Sequence, residues 1–352
     1  MARTVQTGEA PMATKRRLGV GVIGGASGIS GSHLQAYRFL DRADVVAICD
    51  RDAVNGQRVA EDHEAVFTDN LNDMLALPEL DIVDVCSPDS LHCEHVVAAA
   101  KAGKHVLCEK PMAMDLEQAK RMRTAVKDSN ITFMVGMTTR WCPRHMRLRE
   151  LIRNGTIGRP VFVRYQSTGC FFPYPEGSLY RRKESLGQLF HNGPHYLDAV
   201  CDLLEAAPTN VYGVTTSHFN DTHRLETPNY HFASIGMDGG QIVELEYNQL
   251  LIDPPWPGLN TRILIVGTEG TIEWSDKDGR GVRIRRGGGE FSCASSVPLQ
   301  TGYGFVGEIG HFLDCVETGA TPVVPIDLSI NVLATCLGAI ESAATGEAIA
   351  VA

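Results

Sequence analysis

The ten cysteines of this 352-residue chain include no CxxC pair. Several lie in apolar runs such as VVAICD and IVDVCSP. That placement suits buried free thiols in a reducing cytosol better than a disulfide framework. Positive charge is also short. The formal net charge is -10 and no long basic run occurs, so the clustered cationic face that a nucleic acid needs is not expected. No stretch reads as long and apolar enough to span a bilayer. One feature imitates an export signal: Arg16-Arg17 stands before the apolar run of KRRLGVGVIGG. That run reads better as the first strand of the fold, because its removal would destroy the domain. The expectations are a cytoplasmic protein with no nucleic-acid and no membrane partner, beginning with a polar, disordered tail over residues 1–15.

What is present is a globular composition, 43% hydrophobic and 21% charged, in a chain long enough for two domains. The first is expected over 16–137. There LGVGVIG, DVVAICD, DIVDVCSP, KHVLCEKP and ITFMVGM read as strands, with helical segments between them, including Ser30 to Leu40 and Ala53 to Glu61. Short apolar runs alternating with helices imply a buried parallel sheet, doubly wound α/β. Asp115 and Gln118 have capping-box spacing, and Gly103 fits a helix end. After Met137 the rhythm changes, and 138–352 is expected to be an α+β domain on a large, mostly antiparallel open sheet. Helices are expected at Pro143 to Arg153, around His191 and His195, near Phe305 to Glu317 and from Leu328 to Thr345.

The turn GGASGISG, Gly24 to Gly31, follows the first strand and precedes a helix. Such a helix start offers backbone N–H groups and a positive dipole end to a pyrophosphate. Gly24, Gly28 and Gly31 are candidates for the glycines of a GxGxxG turn, with Ala26 in the second glycine's place and one extra residue. Ser27 and Ile29 complete the candidate contacts. Asp50 ends the second strand, 22 residues after Gly28, where an acid accepts hydrogen bonds from an adenine ribose and repels a 2′-phosphate. NAD is therefore preferred. Arg51 can stack on adenine or pair with that phosphate, which keeps NADP possible. CEKP, Cys108 to Pro111, ends another strand, on the side where open α/β sheets bind ligands. Pro111 stiffens the turn. A lysine there can polarise a hydroxyl, stabilise an alkoxide or lower a neighbour's pKa. A surface turn lysine is the plainer alternative.

From VGVIGGASGISGSHLQAYR to the C-terminus the chain resembles the Gfo/Idh/MocA dehydrogenases, which include glucose–fructose oxidoreductase and inositol dehydrogenases. CSPDSLHCEHVVAAAKAGKHVLCEKPMA carries the resemblance most specifically. TTRWCPRHMRLRELIRNGTIGRPVFVR, TRILIVGTEGTIEW and VGEIGHFLDCVETGATPVV extend it. The resemblance implies that Lys110 meets the substrate hydroxyl, that Glu109 contacts the nicotinamide ribose and that Pro88, with Ser87 and His92 beside it, lies near the nicotinamide. It places Arg140 near the cleft as a substrate contact, although a structural salt bridge is an equal alternative. It also implies a homodimer or homotetramer.

HNGPH, His191 to His195, raises a separate question. The family's helix carries an aspartate, three residues, a histidine, and an aspartate three residues later. Here His195 takes the histidine place, Asp198 the later aspartate, and His191 stands where the first aspartate belongs. In one reading His195 is the acid/base and His191 a substrate-binding or catalytic neighbour. In a second the pair binds zinc, helped by Cys142 or Cys170. Gly193-Pro194 opposes this, because a helix starting at Pro194 would take His191 off the common face. In a third both are structural. The expected catalytic residues are Lys110, His195 and His191, with no metal. His33, His92 and His105 are expected to pack or cap, and His145, His223 and His311 to be surface or structural.

The resulting expectation is an NAD(P)-dependent dehydrogenase of a sugar, sugar acid or cyclitol. The alternatives are a redox-neutral enzyme that recycles bound cofactor on glycosides or between sugars, and a non-enzymatic dinucleotide sensor. The loop from Gly169 to Ser185, with Phe171, Phe172 and Tyr174, is expected to shape the substrate pocket.

Overall fold

The computed structural model describes residues 16–169, 185–218, 225–252, 259–277, 281–287, 290–294 and 304–351. The expected tail 1–15, Cys170, Phe171, Phe172, Tyr174 and His223 lie outside them. The apolar run after Arg17 forms β1 (Leu18–Ile23), buried at five of its six positions. It lies between β2 (Ala43–Cys49) and β4 (Leu80–Val85). Arg16 pairs with Asp81, and Arg17 with Asp41 and Asp44, so both arginines anchor the central strand to its surroundings.

β3 (Val66–Thr68), β5 (His105–Cys108) and β6 (Phe133–Val135) complete a six-stranded sheet of order β3-β2-β1-β4-β5-β6. Every pairing in it is parallel. The order reverses between β1 and β4, and a ligand crevice opens beyond the strand ends at such a switch point. β3 and the short α3 (Leu71–Leu75) were not expected from the sequence. VFT is only three residues long and Val66 is 49% exposed, so its apolar signal is weak. The helices α1 (Ser30–Phe39), α2 (Ala53–Asp62), α4 (His92–Lys101) and α5 (Leu116–Ser129) match the periodic segments. At the start of α5, Asp115 accepts from Gln118 N (2.7 Å), while the Gln118 side chain accepts from Met114 N. The cap is therefore reciprocal, one residue earlier than a standard box.

The second sheet has nine strands, in the order β14-β13-β12-β11-β7-β10-β9-β8-β15. They are β7 (Pro160–Gly169), β8 (Pro208–Thr216), β9 (Tyr230–Met237), β10 (Ile242–Asn248), β11 (Leu259–Gly267), β12 (Gly270–Ser275), β13 (Val282–Arg286), β14 (Glu290–Ala294) and β15 (Ile349–Ala350). β7 and β10 run parallel and the other pairs antiparallel. α6 (Pro143–Arg153), α7 (Gly187–Leu204), α8 (Phe305–Thr318) and α9 (Ile326–Thr345) complete the chain. Alternation is strict in β9 and β10: Ala233, Ile235, Met237, Val243, Leu245 and Tyr247 are buried, and their neighbours are not. On the other face Tyr212, Val214 and Ile242 remain exposed.

Two expectations need correction. α9 is, by length and composition, apolar enough to cross a membrane. It was missed because LSINVLATCLGAIESAAT carries polar residues throughout. In the fold α9 packs on β8 and α7, with Val332, Leu333, Cys336 and Ala339 buried. The second correction is that α7 begins at Gly187, not at Pro194, and carries Pro194 inside it.

The β8–α9 contact leaves no room for a side chain at Gly213, where a Cβ would sit 2.0 Å from the Ala339 carbonyl oxygen. Gly213 N also donates to Ser342 Oγ (2.9 Å). Gly213→Ala should cost about 1–3 kcal/mol through forced separation, read as a lower urea midpoint. An unchanged midpoint would contradict this packing.

Candidate active site

The glycine turn is shaped by two contacts. Gly24 has φ +77°, and a Cβ there would meet the Cys86 carbonyl oxygen at 2.7 Å, so only glycine fits. Ala26 N donates to Asp50 Oδ2 (2.8 Å), while Asp50 Oδ1 accepts from Asp52 N (2.9 Å). Asp50 thus clamps the turn to the end of β2. A carboxylate has about four lone-pair sites, so this clamp leaves acceptor capacity for a ribose. Gly31 is not the third functional glycine: it is exposed and a Cβ there would meet nothing within 4 Å. The extra residue in the turn moves the close-packed position to Ser30, which is fully buried and donates to Gly25 O or Ser27 O. Gly28 opens outward with no atom within 4 Å of its missing Cβ.

From that turn a cleft of about 740 Å³ runs along the ends of β1, β4 and β5. Its lining joins Ser27, Gly28, Ile29 and Ser32 of the glycine turn and α1 with Ser87, Pro88, Asp89, His92 and Glu109 and with Lys110, His191 and His195. Gly24, Ala26 and Asp50 stand behind the lining, and Arg51 is exposed outside it. His92 is buried, with its ring nitrogens 2.8 Å from the Pro111 and Ser87 carbonyl oxygens, so it ties the β4 turn to the β5 turn. Ser87 Oγ lies 2.9 Å from His95 Nδ1.

Beneath the lining is a network that sequence reasoning missed. His33 bridges two carboxylates, with Nδ1 2.8 Å from Asp84 Oδ2 and Nε2 3.0 Å from Glu109 Oε1. Tyr37 also donates to Asp84 Oδ2 (3.0 Å). Burial opposes charge on His33, but Asp84 outweighs it and the imidazole pKa lies well above its usual value. Burial likewise opposes charge on Glu109, but the His33 hydrogen bond together with the charges of His33 and Lys110 prevails, and the carboxyl is lowered to about 2. Glu308 of α8 approaches the same cluster, with both carboxyl oxygens buried and without a hydrogen-bond partner among the described residues. Burial, then the charge of Glu109, raises its pKa well above the usual carboxyl value. The available signal was His33 three residues into α1, beside the turn.

Lys110 Nζ lies 3.2 Å from His191 Nε2 and donates to His191 O (3.4 Å). Its peptide bond to Pro111 is cis. Burial lowers the amine below its ordinary pKa, against the carboxylates of Glu109 and Asp89. His195 is lowered to about 3, first by burial and then by the Lys110 charge, so it is neutral near pH 7. Its Nδ1 has no hydrogen-bond partner among the described residues. Because α7 continues through Pro194, His191 and His195 lie one turn apart and both face the cleft. An ammonium against His191 Nε2 is not the environment of a cation ligand, which counts against the zinc reading.

Arg140 is not brought into the cleft. It is 4% exposed and forks onto Asp198 at 2.7 and 2.8 Å, with Asp202 at 3.1 Å. The two acids of α7 draw its guanidinium inward, and Thr138 lines the cleft instead. His145 is buried rather than on the surface, 2.6 Å from Asp202. His105 accepts from Thr132 N (3.0 Å). All eight cysteines with described side chains are free.

The open Gly28 at the start of α1, and a cleft continuous from there to Lys110, fit a dinucleotide. Residues 18–137 match the oxidoreductase family with an NAD-binding Rossmann fold, and residues 145–273 match the GFO/IDH/MocA C-terminal domain. The chain belongs to the GFO/IDH/MocA oxidoreductase family. Within this family, an uncharacterized oxidoreductase of Streptococcus pneumoniae serotype 4 is 33% identical over 54% of this chain and 51% of its own length. The chain therefore spans about half of that relative. The 2,7-anhydro-N-acetylneuraminate hydratase of Escherichia coli is 29% identical over 71% of this chain and 66% of its own. Among solved structures, levoglucosan dehydrogenase in complex with NADH and L-sorbose superposes with TM-score 0.84 at 23% identity, covering 96% of this chain and 100% of that one.

The Arg140 fork generates a stability prediction. Arg140→Ala leaves the buried Asp198 without its guanidinium, while Asp202 keeps Arg149 and His145, and should cost about 3–5 kcal/mol, read by denaturant unfolding. A loss below about 1 kcal/mol, the range of an exposed pair, would contradict a buried structural role.

Proposed function

We propose that this chain is an NAD(P)-dependent dehydrogenase acting on a secondary alcohol of a sugar, sugar acid or cyclitol. The observation that carries the reading is that Lys110 and His195 line the same cleft as the glycine turn. Bound NAD supplies the hydride acceptor. His195 takes the hydroxyl proton and Lys110 holds the oxygen as charge develops on it. A neutral histidine suits this role, because the hydroxyl becomes strongly acidic as hydride leaves its carbon. Glu109, fixed by His33, is the candidate for the nicotinamide ribose, and Ser87, Pro88 and His92 form the wall beside it. The carboxylate of Asp50 at the end of β2 favours NAD over NADP. His191 serves as a catalytic neighbour and substrate contact, and Tyr174 belongs to the candidate pocket loop.

The substrate class rests on the family and on the carbohydrate names of its members, such as levoglucosan dehydrogenase with NADH and L-sorbose. A second reading, a redox-neutral cycle with retained cofactor, is favoured by the hydratase name of one relative. A cytoplasmic homodimer or homotetramer completes the proposal, with the exposed apolar residues Tyr212, Val214 and Ile242 on the helix-free face of the second sheet as its interface.

The test is steady-state absorbance at 340 nm with NAD and a panel of sugars, sugar acids, inositols and glycosides. Lys110→Ala should lower turnover by about 10²–10⁴ while leaving cofactor affinity nearly unchanged. Near-wild-type turnover in that variant would remove Lys110 from the mechanism.

A further inference from the structure

Asp89 follows Pro88 on the short 3-10 turn Asp89–Leu91, at the mouth of the cleft. Its Oδ2 lies 3.3 Å from His191 Nδ1, and the other ring nitrogen of His191 lies 3.2 Å from Lys110 Nζ. An ammonium only donates hydrogen bonds and a carboxylate only accepts them. The three groups form a consistent chain in one arrangement alone: Lys110 donates to a bare Nε2, and Nδ1–H donates to Asp89. The reverse tautomer would turn an N–H toward the ammonium and a lone pair toward the carboxylate. Among the described residues Asp89, Lys110 and Glu109 bear on His191, and burial lowers the pKa of its ring below the ordinary value.

We infer that Asp89 is a positioning residue that fixes the Nδ1–H tautomer of His191, so that His191 holds the Lys110 ammonium for the substrate oxygen. The family resemblance puts an aspartate where this chain has His191. A carboxylate there would pair with Lys110 directly and need no help from residue 89. With an imidazole in that place the hold on Lys110 depends on a second residue, and Asp89 supplies it. The inference rests on the dehydrogenase reading for its kinetic consequence, but not for its tautomer.

Two measurements test it. In the full chain labelled with ¹⁵N-histidine, His191 is assigned by its loss in His191→Gln. Its Nδ1 should give a pyrrole-type signal and its Nε2 a pyridine-type signal. Asp89→Leu should move it toward the opposite tautomer, and Asp89→Asn, which keeps an acceptor oxygen, should largely preserve it. A wild-type Nε2–H tautomer, or one unchanged in Asp89→Leu, would overturn the inference. This arm needs no substrate, so an inactive wild-type protein would overturn the dehydrogenase reading alone.

In kinetics, Asp89→Leu should lower kcat by about ten-fold or more, because a histidine in the wrong tautomer fails its partner. In the His191→Asp background the same change should lower nothing further, since it removes a like charge and no tautomer remains to be fixed. An equal loss in both backgrounds would mean that Asp89 serves the fold or the substrate directly, and the inference would be wrong. If Asp89→Leu does not fold, the wild-type tautomer and the Asp89→Asn rescue still decide.

Discussion

The desolvated ammonium of Lys110 is the interaction on which the candidate site depends. It sits at the end of β5, in the parallel sheet, and reaches a histidine on α7, which packs against the antiparallel sheet. Lys110 is therefore one of the charged groups through which the two halves of the chain meet. Burial makes that charge costly, and the nearby carboxylates of Glu109 and Asp89 retain it. Burial first, and the Lys110 charge second, lower the pKa of His195. The cation thus adds to the desolvation that keeps neutral the neighbour the proposed chemistry needs as a base.

The support under the site follows similar logic. Asp84, Glu109 and Glu308 are three buried carboxyl groups around one imidazole. Charge on all three would be prohibitive in so little water. His33 stands between two of them, and burial shifts the carboxyl of Glu308 toward its neutral form. The consequence for function is a Glu109 side chain with little freedom, held from beneath while its neighbours line the cleft. Arg140 with Asp198 and Asp202 does the same for α7, fixing the helix that carries both cleft histidines.

Much of the first sheet was legible because its strands are buried on both faces and read as unbroken apolar runs. β3 was not, because three residues at an edge carry too little apolar signal. The Lys110 turn was legible from Glu-Lys-Pro at a strand end, and the histidine pair from its spacing. The course of α7 through Pro194 was not, since proline argues locally against the helix and only packing restores it. The family resemblance placed Arg140 near the cleft, with a structural salt bridge as the equal alternative, and two acids far along the chain turn it inward. Asp89 carries no local mark of its role, and the place of His33 beside the glycine turn does not reveal its partners, which lie 102 and 76 residues away respectively.

The most direct test of the central claim, that one cleft holds both a dinucleotide and an alcohol at Lys110, is a single-turnover experiment. NAD-loaded protein in excess is mixed with each member of the sugar panel, and bound reduced nicotinamide is followed at 340 nm. The account predicts a rapid rise of up to one equivalent per site with at least one sugar or cyclitol, even where a recycling enzyme would show no net NADH at steady state. No rise with any of them, from a chain shown to bind NAD, would contradict it.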